Sequence, residues 1–225
     1  MDQAEKEKDL CYSVNAKAPK MLASLTRENG VIMIHISSDY VFHSQHGPPI
    51  KPNQILNPAG VYANSKAMAE KEILEKNPDS IIIRSSWIYS TYGHNFVKTM
   101  IGLSKKHTEI KVVNDQIGSP TYAADLAEFI NLLCNRLISG RPSAIPNFLH
   151  YSNKGSVSWF DFAKEIFKLT KAQTHVLPIT TEEFNAPAPR PKYSVLDCTE
   201  TESIFEMEIP GWQESLMRCI SKLNI

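Results

Sequence analysis

A tyrosine and a lysine four residues apart, Tyr62 and Lys66 in the stretch Tyr62-Ala63-Asn64-Ser65-Lys66, fall on one face of a helix, one turn from each other. A phenol titrates near 10 and is a poor acid or base at neutral pH. An ammonium beside it favours the phenolate and lowers that value. The spacing therefore suits a proton-transfer pair in which Lys66 lowers the pKa of Tyr62. It equally suits a half-buried tyrosine next to a solvated lysine, so the surrounding elements must decide.

Those elements read as alternating helices and strands. A first helix is expected from about residue 8 to Asn29, with Val14, Ala18, Met21, Leu22 and Leu25 as an apolar stripe. Pro19 falls at a bend or a helix start, and Gly30 is placed to cap the C-terminus. Val31 to Ile36 and Ser80 to Ser85 are short apolar runs rich in β-branched residues, the pattern of buried parallel strands. The Tyr62 helix lies between them and ends at Asn77-Pro78-Asp79. The result is an α/β fold with a parallel sheet. Ligands bind beyond the carboxyl ends of such strands, which is where Ser38, Asp39 and Trp87 fall. Ser37-Ser38-Asp39 also reads as a simple strand-end turn, and Trp87 as a core residue. The segment from Val41 to Pro58 is a long loop of the kind that usually serves function.

After residue 90 the elements shorten and polar loops multiply. Residues 1–90 read as a regular layered sheet and residues 91–225 as a smaller cap domain. The loop Asp115-Gln116-Ile117-Gly118-Ser119-Pro120-Thr121 offers Gln116, Ser119 and Thr121 as lining residues. Arg190, inside the proline-rich Ala186–Pro191, could hold a diphosphate through bidentate bonds or sit as a solvated charge.

The bulk numbers exclude several classes. Lysine plus arginine equals aspartate plus glutamate, 24 each in 225 residues, so no general pull toward nucleic acid or membrane exists. Cys11, Cys134, Cys198 and Cys219 lack metal-ligand spacing. They read as free thiols of a reducing compartment. The first ten residues are charged and no run reaches the ~18 apolar residues of a membrane span. The expectation is a cytoplasmic protein that binds neither nucleic acid nor membrane, with no metal cluster.

In order, HISSDYVF, NPxxxYxxSK, RSSWIY, NDQIGSPTY and PRPKYSVLD resemble the dTDP-4-dehydrorhamnose reductases of the extended short-chain dehydrogenase/reductase group. The resemblance implies reduction of dTDP-4-dehydro-6-deoxy-L-mannose by NADPH (or NADH) to dTDP-L-rhamnose. It makes Tyr62 the proton donor and Lys66 the residue that tunes it and holds the nicotinamide ribose. Ser38 becomes the hydroxyl that bonds the substrate oxygen, at a position where the family more often has threonine. Asp39 matches a substrate contact, Trp87 the ring on which the sugar or base packs, and Arg190 a weaker substrate-binding candidate. Related 4,6-dehydratases carry glutamate after the aspartate, and here Tyr40 stands there instead. It also implies a partial Rossmann-like sheet, with residues 1–90 the C-terminal part of an NAD(P)-binding domain and residues 91–225 mainly a smaller α/β substrate-binding domain. Family members can use magnesium at a dimer interface, but the resemblance assigns it to no residue of this chain.

The departure from the family is large. The nine glycines include no Gly-x-Gly-x-x-Gly or Gly-x-x-Gly spacing, the fingerprint of a dinucleotide-binding turn. The chain resembles a family member entered just after its fourth strand, lacking about two βαβ units, ~60 residues at ~30 each. Three expectations follow. The cofactor pyrophosphate lacks its helix N-terminus, the Val31–Ile36 strand exposes an apolar edge, and the chain alone binds NADPH poorly and is marginally soluble. Expected partners are a dTDP-sugar and either a second copy of the chain or the missing N-terminal half. The alternative reading is a non-catalytic regulatory subunit of the methionine adenosyltransferase beta type, which shares the fold and related motifs.

Overall fold

The computed structural model describes residues 1–44, 46–140 and 145–223. The chain opens with α1 (Asp2–Lys6), then one continuous helix made of α2 (Lys8–Tyr12), a π-helical turn (Ser13–Lys17) and α3 (Ala18–Glu28). The π turn sits immediately before Pro19, whose ring and missing N–H disturb the preceding turn. The turn also takes up a drift. Cys11, Asn15, Pro19 and Ala23 are four apart, more than the 3.6 residues of a turn, and the wider turn keeps them facing the same neighbour. Gly30 ends the helix as expected, with φ +63°. The Gly30 N–H reaches the Arg27 carbonyl and the Val31 N–H the Thr26 carbonyl, a Schellman closure.

Strand β1 (Ile34–Ser38) follows, then α4 (Gly60–Lys76), β2 (Ile81–Ser85), β3 (Ile88–Tyr89), α5 (Phe96–Ser104) and β4 (Glu109–Val113). Next come β5 (Ile117–Gly118), β6 (Thr121–Tyr122), α6 (Ala123–Ile138), β7 (Phe148–His150), β8 (Val157–Ser158) and α7 (Trp159–Thr170). β9 (His175–Ile179), α8 (Thr181–Phe184), α9 (Thr199–Phe205) and α10 (Trp212–Ser221) complete the chain.

β1, β2 and β7 form a parallel sheet in that order. Side chains alternate across it. Ile81 and Ile83 face α6 and α9, packing on Leu126, Phe129, Leu133 and Phe205. Arg84 faces α4, and so does His35, two register pairs back on the neighbouring strand. A second core joins α5, α7, α10 and β4 around Phe162, Ile166, Trp212 and Leu216. The chain crosses the division expected near residue 90. β7, α6 and α9 lie beyond it yet complete the first sheet's layer.

Two apolar features are left uncovered. Among the described residues β1 pairs only with β2, so its other edge is open. The apolar stripe of the first helix is also turned outward. Val14, Met21, Leu22 and Leu25 are each more than half exposed. The helix instead presents Cys11, Ala16, Pro19 and Ala23 inward, toward α4. Small residues there let the two helices approach closely. The exposed side chains and the open edge are the kind of surface that soluble monomers rarely leave bare.

The long loop between β1 and α4 is packed. Val41, Phe42 and Ile50 form a small core with Leu196, and Ile50 exchanges backbone bonds with Val195 and Asp197. No helix among the described residues is long and apolar enough to cross a membrane.

Candidate active site

The β1 terminus and the first turn of α4 bring Ser38, Asp39, Tyr40 and Tyr62 together. The Tyr40 and Tyr62 rings meet edge to face, centroids 5.9 Å apart. Ser38 Oγ donates to Asp39 Oδ1 at 3.0 Å and accepts from the Tyr40 N–H at 3.2 Å. The strand-end turn expected from sequence is therefore present, and the same hydroxyl faces Tyr62. Burial raises the Tyr62 pKa above its ordinary value, against the lowering influence of the Ser38 side chain. Tyr62 is thus held as a neutral phenol.

Lys66 corrects one expectation. Its ammonium does not sit against the Tyr62 phenol. Nζ donates to the Ile36 carbonyl at 2.6 Å and lies 3.2 Å from His35 Nε2. Burial lowers the Lys66 pKa, with Glu70 acting in the other direction. Burial and the Lys66 charge push His35 down to about 4, so its imidazole is neutral and accepts from Lys66. The Tyr62 pKa moves up because desolvation outweighs its polar neighbours and Lys66 is not among them.

Asp39 is 2% exposed. Burial raises its pKa to about 7, against hydrogen bonding with Ser194 and Ser38. A carboxyl whose folded pKa lies above its unfolded value near 3.9 contributes most stability below about pH 4. That contribution is lost as pH rises through about 7. The unfolding free energy of wild type relative to Asp39→Asn is therefore expected to fall between pH 4 and 7. Denaturant titrations of both proteins across that range check this. A difference independent of pH would contradict it. His35 and His150 act in the opposite sense on acidification, but they are common to both proteins and cancel.

Trp87 stands between β2 and β3 with φ +48°, a backbone region that costs a bulky residue about 1–3 kcal/mol. Its indole stacks on Trp159, centroids 3.5 Å apart and 7° from parallel. A Cβ on Gly118 would fall 2.5 Å from the same ring, so glycine there admits the indole. One face of Trp87 is therefore packed.

Arg190 is not a solvated charge. Its side chain is 15% exposed and pairs with Asp2, Nη2 to Oδ2 3.1 Å. Its guanidinium carbon lies 5.5 Å from the Phe184 ring centroid. Nη1 is buried with no hydrogen-bond partner among the described residues. Arg190, Tyr40, Lys111, Gln116, Phe184 and Trp159 line a cavity of about 380 Å³. Gln116 also donates to Thr181 Oγ1 at 3.0 Å, whereas Ser119 shapes its loop by bonding the Gly155 carbonyl at 2.7 Å. Thr121 is fully buried. Tyr40, Lys111, Trp159 and Phe184 were not legible as lining residues. Tyr40 adjoins Asp39 and was the nearest to a signal.

A family model described as the RmlD substrate binding domain matches residues 1–225. The chain belongs to this family. A dTDP-4-dehydrorhamnose reductase from Sinorhizobium fredii is 36% identical over 98% of the chain and 76% of the relative. The spore coat polysaccharide biosynthesis protein SpsK of Bacillus subtilis is 41% identical over 96% of the chain and 73% of the relative. Among solved structures, a Clostridium acetobutylicum dTDP-4-dehydrorhamnose reductase superposes with TM-score 0.92 at 40% identity, covering 100% of this chain and 78% of that one. A Bacillus anthracis dTDP-4-dehydrorhamnose reductase in complex with NADP gives 0.90 at 41% identity, covering 99% and 76%. The RmlD α/β architecture with its parallel sheets is therefore that of this chain.

The site's fit to a nicotinamide cofactor is uneven. Tyr62, in the first turn of α4, stands at the carboxyl end of β1, and Lys66, one turn on, is held against the Ile36 carbonyl and His35. The pyrophosphate end has no Gly-rich turn within these residues. The N-terminus of α4 already holds a carboxylate, Glu5, whose Oε1 accepts from the Val61 N–H at 2.7 Å. Among the described residues no group of three or more His, Cys, Asp or Glu side chains is placed to hold a metal ion.

Proposed function

We propose that this chain carries the substrate- and proton-handling part of an NADPH-dependent reductase that converts dTDP-4-dehydro-6-deoxy-L-mannose to dTDP-L-rhamnose. The observation that supports it is the meeting of a protonated Tyr62 phenol with the Ser38 hydroxyl at the carboxyl end of a parallel strand. NADPH, when bound, supplies the hydride. As negative charge develops on the sugar's 4-oxygen, Ser38 turns its hydroxyl hydrogen from Asp39 Oδ1 to that oxygen and Tyr62 delivers the proton. Lys66 and Tyr62 hold the nicotinamide ribose. Asp39 contacts the sugar, and Trp87 offers it or the base an indole edge. Arg190, beside the Tyr40 hydroxyl, receives the diphosphate in the Tyr40–Phe184 cavity. Residues 1–90 act mainly on the cofactor side and 91–225 mainly on the substrate side.

The test is NADPH oxidation, followed by its absorbance, with the keto-sugar nucleotide. The 225-residue chain is assayed alone and fused behind two βαβ units that carry a Gly-rich turn. The fused protein is expected to turn over and the chain alone to be slower, because only the fused form anchors the pyrophosphate. No turnover by either would remove the reductase reading.

A further inference from the structure

The helix that carries Tyr62 begins without a cap of its own. Ala59 occupies its N-cap position and makes no side-chain cap bond. The first N–H groups of any helix lack intrahelical partners. Here the acceptor comes from 56 residues earlier: Glu5 Oε1, in α1, takes the Val61 N–H at 2.7 Å. The chain makes room for it. Gly60 has φ +83°, and a Cβ there would lie 2.8 Å from Glu5 Oε1 and 2.8 Å from Pro189 Cδ.

The same short helix holds the other side of the site. Asp2 lies three residues before Glu5, on the same helical face. Its carboxylate pairs with Arg190 Nη2 and accepts from the Ala188 N–H at 3.2 Å. One five-residue helix thus grips both the start of α4 and the Ala188–Arg190 segment, through two carboxylates.

We infer that Glu5 is a positioning residue for Tyr62. Its carboxylate caps α4 one residue before the phenol, and so fixes where the phenol stands relative to Ser38 and Arg190. Negative charge at a helix N-terminus is favourable, and loss of a capping acceptor loosens the first turn. Tyr62 lies in that turn, behind a glycine that adds backbone freedom. A displaced proton donor slows the chemical step more than it weakens binding. The inference rests on the reading of Tyr62 as the proton donor.

Two measurements test it separately. Amide hydrogen exchange on the 225-residue chain reads the cap directly. Glu5→Ala is expected to speed exchange at Val61 and Tyr62 by about tenfold, leaving the second half of α4 unchanged. Glu5→Gln keeps an acceptor oxygen and is expected to stay near wild type. Should Glu5→Ala fail to fold, Glu5→Asp withdraws the carboxylate by one methylene and gives the same readout. In the form that reduces the keto sugar, Glu5→Ala is expected to lower kcat by about tenfold with KM within about twofold. It should have no further effect once Tyr62 is Phe. Unchanged exchange at Val61, or a kcat loss that simply adds to that of Tyr62→Phe, overturns the inference. If no form reduces the keto sugar, the reductase reading falls, and the exchange result still judges the cap.

Discussion

Replacing Tyr62 by phenylalanine is expected to lower kcat for keto-sugar reduction by about 10²–10⁴-fold, the usual contribution of a placed general acid. The change is confined to one oxygen. The ring that meets Tyr40 at 5.9 Å remains, so the fold and the affinity for the sugar nucleotide should be nearly unchanged. The loss must appear in kcat, because the phenol acts on charge that exists only as the carbonyl is reduced. The direction of the Tyr62 pKa adds a second signature. Burial holds it above the ordinary phenol value, so wild-type activity should show no loss from Tyr62 ionisation between about pH 6 and 9. A phenol activated by an adjacent ammonium would lose its proton within or near that range. Full turnover by Tyr62→Phe would remove the proton-donor assignment. A kcat that falls through a titration below the ordinary phenol value, and loses that titration in the same substitution, would restore Lys66 to the role expected of it from spacing.

That contrast shows how far the sequence could be read. Periodicity located β1, α4 and β2 to within a few residues, because apolar runs and Gly or Asn-Pro punctuation are local signals. It also identified the stripe Val14, Met21, Leu22 and Leu25, but not the direction the stripe faces. Which side of a helix is buried depends on what packs there, and α4 selected the small residues instead. Likewise, four-residue spacing put Tyr62 and Lys66 on one face of α4 without saying that Lys66 would reach past the helix to the Ile36 carbonyl. The sign of the Tyr62 shift follows from burial, which no dipeptide spacing encodes. Glu5 was invisible for another reason. Its partner is 56 residues away, and the local sequence around it shows only an acidic helix start.

The largest stability effect is expected at Arg84. This residue is 2% exposed and meets Glu70, 1% exposed, through two parallel bonds, Nε to Oε1 2.9 Å and Nη2 to Oε2 2.7 Å. Nη1 donates to the Pro52 carbonyl at 2.8 Å, and the guanidinium lies between the Phe42 and Phe148 rings. Burial and the Arg84 charge push the neighbouring His150 down to about 3. It is therefore neutral, donates from Nδ1 to the Ile50 carbonyl at 3.1 Å and adds no second positive charge. Arg84→Met strands the Glu70 carboxylate in the interior and should cost about 3–5 kcal/mol in denaturant unfolding. Arg84→Met combined with Glu70→Leu removes both charges and should recover much of that loss, because most of the penalty belongs to the unpaired ion. If the double variant is as unstable as the single one, the bonds to Pro52 and the two aromatic faces hold this region, not the ion pair. The double variant also separates stability from chemistry. Glu70 lies one turn beyond Lys66 and raises its pKa against burial. A refolded protein without Glu70 should therefore hold Lys66 less readily as an ammonium, and lose cofactor-side function while keeping its fold.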